Sequence, residues 1–196
     1  MTNEAKQVSA FIRQKIAWFS ESTNQADVKA ALAKLRCGIG KTPGSMPEIW
    51  EWTLDGLPEA FQSKDGFPTK EEWAVHTALT LFALHQQGKD LESNSMDSDE
   101  MTLGRAVYAL AEIQGDETRI KRRFNVVATS NGIEEFSYHL RGIVQLLKGK
   151  DIPLDYSQLV MDLFRFQNPE ERDSLRLKWG QDYYSSKLRK EKANEE

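Results

Sequence analysis

The chain has 196 residues, with 30 acidic and 26 basic side chains and a formal net charge of −4. That length suits one domain or two small lobes, and it can bury a core without a covalent staple. A single cysteine, Cys37, excludes an internal disulfide. The longest apolar stretch, around residues 78–84, falls far short of the ~20 residues a membrane helix needs. No apolar signal region comes after Met1, so the expectation is a soluble, cytoplasmic protein.

From the first residues the apolar spacing is three and four: Val8, Phe11, Ile12, Trp18 and Phe19, then Val28, Ala31, Leu32 and Leu35. No stretch alternates with period two, so no sheet is expected and the fold class is all-α, a bundle of about eight or nine helices. The expected helices are 4–20, 24–37, 46–55, 70–87, 102–114, 117–129, 132–148, 155–166 and 169–185. Four starts carry an oxygen side chain with Glu three residues on: Ser45-Met46-Pro47-Glu48, Thr69-Lys70-Glu71-Glu72, Asn131-Gly132-Ile133-Glu134 and Asn168-Pro169-Glu170-Glu171. Gly38, Gly88, Gly115 and Gly149 are the expected stops. The polar, acidic segment 88–100 reads as a mobile loop. It separates an N-terminal helical lobe, 1–100, from a C-terminal one, 101–185. A charged, flexible tail is expected over 186–196.

Charge is distributed in blocks. Residues 1–41 hold 7 basic and 3 acidic side chains, and residues 42–101 hold 3 and 12. Residues 116–150 hold 7 and 4. An acidic block between two basic ones gives a two-faced surface if the basic blocks meet in space, though solvated helix faces give the same pattern.

Enzymatic and metal sites find little support. Gly38-Ile39-Gly40-Lys41-Thr42 resembles the end of a phosphate loop, but Leu35 stands where the first glycine belongs and a helix precedes the turn. His76 lies four residues after Glu72 and His139 four after Glu135, yet the further inward carboxylates of a metal bundle are missing. Cys37 has basic neighbours but no partner histidine. No catalytic group, metal or cofactor is assigned. The aromatic residues sit mostly at core spacing, Trp52 least clearly.

The basic residues form the stronger signal. Lys34 and Arg36 close one helix, where the dipole already favours them. Arg119, Arg122 and Arg123 share one face of another, without an acidic residue in the four positions after Arg123. Like charges at that spacing cost a few tenths of a kcal/mol, which an external anion would offset. Lys70 stands in a first turn, where the dipole disfavours a cation. Arg105 and Arg141 lie in apolar helices beside Gly104 and Gly142. Each glycine could admit a close backbone or phosphate, and an internal salt bridge is the ordinary alternative for each arginine. These eight residues are the candidate nucleic-acid-binding set.

The ordered words of the chain resemble the CasB family, small subunits of the type I-E CRISPR complex Cascade. They are Ala31-Leu32-Ala33-Lys34-Leu35-Arg36 with Gly38 and Gly40; Pro47 and Trp50; Leu103-Gly104-Arg105-Ala106; Arg122-Arg123-Phe124; Leu140-Arg141; Ile152-Pro153-Leu154-Asp155-Tyr156; Leu159; Asp162-Leu163; and Trp179-Gly180-Gln181-Asp182-Tyr183-Tyr184. The family often has two arginines before the first glycine, where this chain has Arg36-Cys37. The resemblance implies a two-lobed helical bundle that is not an enzyme. Two copies would lie head to tail beside guide RNA and target DNA, against the backbone and large subunits, and help hold the displaced strand of the R-loop. A helical protein–protein scaffold without nucleic-acid contact is the alternative.

Overall fold

The computed structural model describes residues 2–195, without the side chains of residue 191 and residues 193–195. The described residues form nine α-helices, in chain order α1 Asn3–Glu21, α2 Gln25–Cys37, α3 Trp50–Thr53, α4 Lys70–His85, α5 Leu103–Gln114, α6 Glu117–Ala128, α7 Ile133–Lys148, α8 Tyr156–Phe166 and α9 Arg172–Glu195. Three 3-10 turns, Pro47–Ile49, Glu59–Phe61 and Pro169–Glu171, lie between them. Among the described residues there is no strand, and one isolated bridge pairs Asp97 with Leu154. The all-α expectation holds.

Helix α4 explains the arrangement. It is apolar in nearly every direction, and every residue from Ala74 to His85 is buried, as a helix without a polar face requires. Around it pack α1, α2, α7 and α8, while α5 lies against α6, α7 and α9. One buried apolar cluster runs from Val8 to Tyr183 and draws on residues on both sides of segment 88–100.

The helix ends show which local signals act. Thr69 and Glu72 form the expected capping box. The other expected starts differ. Ser45 donates to the Thr42 carbonyl at 2.7 Å instead of capping, and Gly132 caps α7 without a side chain. Asn168 accepts from the Glu170 amide, but it opens a 3-10 turn, and α9 begins only after that turn. The caps found elsewhere are Thr2, Asn24, Asp116 and Asp155, each accepting from an amide three residues on.

Two expectations are corrected. Segment 88–100, expected to be a mobile loop, is tied to the core. The Gln86 side chain accepts from the Met96 amide at 2.8 Å and donates to the Asn94 carbonyl at 3.1 Å. Leu91 and Met96 are buried. The helix expected to stop at residue 185 continues to Glu195, and along it Lys187 and Lys190 pair with Glu117 and Glu112 on neighbouring elements.

Candidate nucleic-acid interface

Helices α6 and α7 are joined by a short turn and pack side by side. Ile120, Phe124 and Val127 bury the inner face of α6, as Phe136, Leu140, Ile143, Val144 and Leu147 bury that of α7. The amphipathic spacing therefore turns the remaining side chains outward. On the outer surface lies an open groove of about 510 Å³ lined by Arg123, Val126, Tyr138, His139, Arg141, Gly142, Ile143 and Gln145.

The charges near it divide into paired and free. Arg119 is held by the carboxylate of Asp116 at 3.2 Å and the amide oxygen of Gln114 at 2.7 Å. Lys121 pairs with Glu117 at 2.7 Å and lies over the rings of Tyr183 and Tyr184. The acidic first turn of α6 thus neutralises two of its four cations. Arg122 and Arg123 remain, both exposed and, among the described residues, without an ion pair. Arg141 is likewise exposed, has no ion pair among the described residues, and lines the same groove as Arg123. Gly142 lies in the floor, and a Cβ there would meet nothing within 4 Å.

Arg141 also belongs to a second, narrower cleft of about 230 Å³ between α4, α7 and the turn after α2. Lys41 is on its rim, together with Glu134 and Tyr138. His76 lies in its wall, buried, with Nε2 at 2.9 Å from the Gly38 carbonyl. A carbonyl only accepts, so Nε2 carries the proton. Burial holds this imidazole below its ordinary pKa and keeps it neutral.

Farther along α7, Lys148 donates to the Gln87 amide oxygen at 2.9 Å. Burial, with the charges of Arg36 and Lys89, lowers its pKa. Arg36 is therefore near a second basic cluster, in which Lys89 is neutralised by Asp151. Lys34 and Lys70 are exposed and line neither cleft. Arg105 is engaged internally: its guanidinium donates to the Glu100 carbonyl at 2.8 Å, with the Glu100 carboxylate 3.9 Å away.

The structure thus brings together Arg123 and Arg141 of the expected set, with Arg122 alongside. Sequence reasoning left Tyr138, Gln145 and Lys148 out of it, although they share the spacing of Arg141 on α7. Lys41 was legible only as the end of a glycine-rich turn. The Glu72–His76 pair does not form a site, since the Glu72 carboxylate accepts from the amides of Thr69 and Ser63. His139 and Glu135 are 3.9 Å apart. Among the described residues no group of three His, Cys, Asp or Glu side chains could hold a metal ion, and no helix is long and apolar enough to cross a membrane.

The model of the CRISPR-associated protein Cse2 family matches residues 31–184. The chain belongs to the Cse2 (CasB) family. The CasB crystal structure from Thermobifida fusca is similar at 28% identity, with a TM-score of 0.73, over 93% of this chain and 98% of that one. M. ruber CasB matches at 22% identity and a TM-score of 0.68, over 98% and 99% of the two chains. A chain of a CRISPR RNA-guided surveillance complex shares the Cse2 fold at 18% identity and a TM-score of 0.67, over 98% and 99%. No curated protein sequence matches at a significant level.

Proposed function

We propose that this Cse2 protein is the small, non-catalytic subunit of a type I-E CRISPR surveillance complex (Cascade), holding nucleic-acid backbone beside the guide RNA–target DNA and the displaced strand. The observation that carries this reading is that Arg123 and Arg141 line one open groove, with exposed Arg122 next to Arg123 in α6 and, among the described residues, no carboxylate paired to any of the three. Guanidiniums that line one groove without carboxylate partners leave positive charge uncompensated, and a polyanion offsets it. The planar fork of each suits phosphate oxygens.

In such a complex the guide reads sequence by base pairing, so a subunit needs only backbone-directed charge. R-loop formation is nearly balanced, and modest contacts can tip it. Arg105 contributes to this role through the fold alone, by fixing the start of α5. Lys34, Arg36 and Lys70 are proposed as peripheral contributors to the same electrostatic field.

The test is a salt titration of binding to single-stranded DNA, double-stranded DNA and RNA, by the purified chain and by the assembled complex. Removing Arg122 and Arg123 together (each →Ala) is expected to weaken binding and to reduce the salt slope by about 0.7 per lost single-strand phosphate contact. The thermal melt should change little, because both side chains are exposed and unpaired. A collapsed melt would make them structural. Binding that is absent in both forms would favour a pure protein scaffold.

A further inference from the structure

The narrow cleft beside Arg141 differs in character from the groove. Its wall includes the ring of Trp73, half-buried, and its floor is Thr77, Thr80 and Leu81, all buried. Tyr138, Lys41 and Arg141 stand exposed on the rim. At about 230 Å³ it is smaller than the roughly 300–1,000 Å³ of a drug-sized ligand site, and it suits a single flat ring system. The cleft and the groove lie beside one another, with Arg141 and Tyr138 lining both.

We propose that this cleft receives one unpaired nucleobase, turned out of a strand whose backbone lies along the Arg123–Arg141 groove. The proposal rests on the nucleic-acid reading above and adds a base site to it. Charge complementarity selects the occupant: Lys41 and Arg141 fix a phosphodiester at the rim, while the buried floor of Thr77, Thr80 and Leu81 offers a phosphate no counter-charge. Aromatic rings at wall and rim offer faces on which any base can stack. Glu134, the carboxylate on the rim, can accept from an exocyclic amine. A base pushed out of a duplex costs a few kcal/mol, least where the strand is already unpaired. The cleft therefore discriminates single strands from duplex.

The experiment compares a short single-stranded DNA with an abasic phosphodiester of the same length and charge, titrated at low salt against the full-length chain. Stacking of one base predicts about five- to hundredfold tighter binding of the base-bearing strand. A 2-aminopurine placed in that strand should be quenched on binding. Trp73→Leu should bring the base-bearing strand down to the abasic affinity and remove the quenching. Trp73→Phe, which keeps a flat ring, should restore most of both, and melting curves of the two variants separate loss of the cleft from loss of the fold. Equal affinity of the two strands for the wild type would overturn the base site while leaving the backbone reading in place. Binding of neither strand, by the chain and by the assembled complex alike, would overturn both.

Discussion

Trp179 is almost completely buried, and its indole N–H donates to the carboxylate of Asp162 at 2.6 Å. Gln158 donates to the other carboxylate oxygen at 2.7 Å. Burial pushes the Asp162 carboxyl up, and these two donors oppose the shift. Replacing Trp179 by Phe removes a donor and keeps most of the ring, so the unsatisfied oxygen should cost about 1–3 kcal/mol. A lowered Tm is the expected reading, partly recovered when Asp162→Asn is added. Asp97 offers a pH test. Burial, together with the charges of Asp155 and Asp99, raises its pKa from 3.8 to about 6, although the Tyr156 amide donates to it. A carboxyl with a raised folded pKa binds more protons folded than unfolded, so its contribution falls as pH rises through that window. His85 acts in the opposite sense. Burial lowers its pKa from 6.5 to about 4, and its contribution increases with pH over that interval. The wild type should therefore lose Tm relative to Asp97→Asn as pH is raised from about 4 to about 6, and the difference should level off above it. A constant difference across that range would show Asp97 to be unshifted.

At the level of elements, two glycines next to arginines have opposite settings. A Cβ on Gly104 would lie 2.3 Å from the Trp179 carbonyl oxygen and 3.0 Å from the Tyr183 amide nitrogen, both backbone atoms of α9. One on Gly142 would meet nothing within 4 Å. Alanine has an intrinsic helical advantage of about 1 kcal/mol over glycine. At position 142 that advantage should appear as a higher Tm. At position 104 overpacking, about 1–3 kcal/mol or more, should outweigh it and lower the Tm by separating α5 from α9. Equal changes at both sites would mean that the close approach is easily relaxed. Much of this level was legible in the sequence. The three-and-four spacing located the long helices to within a few residues, except for the end of α9. The pairs along that end of α9, Lys187 with Glu117 and Lys190 with Glu112, join residues far apart in sequence, which no local pattern reveals. The same is true of segment 88–100, whose polar composition conceals the ties from Gln86 and Leu154. Of the candidate site, the cluster at 119–123 was visible, but which of its members remain unpaired depended on where Asp116 and Glu117 point.

Across the whole molecule, the acidic residues between 42 and 101 offset the basic groove in net charge without pairing to it. Glu48, Glu51, Asp55 and Glu59 are all exposed. Reversal of Glu48, Glu51 and Asp55 to lysine should leave assembly with neighbouring subunits intact, as co-purification would report. Failure to assemble would make this face a seat for a basic neighbour. Chain order adds a constraint of another kind. Helix α1 packs chiefly against α8, so a helix that ends at Glu21 depends on one that begins only at Tyr156. At synthesis rates of about 5–20 residues per second, the apolar stripe from Val8 to Phe19 waits on the order of ten seconds for its partner. Throughout that interval the nascent chain exposes a ready-made adhesive surface, so chaperone capture early in translation should limit its yield more than the stability of the finished bundle does.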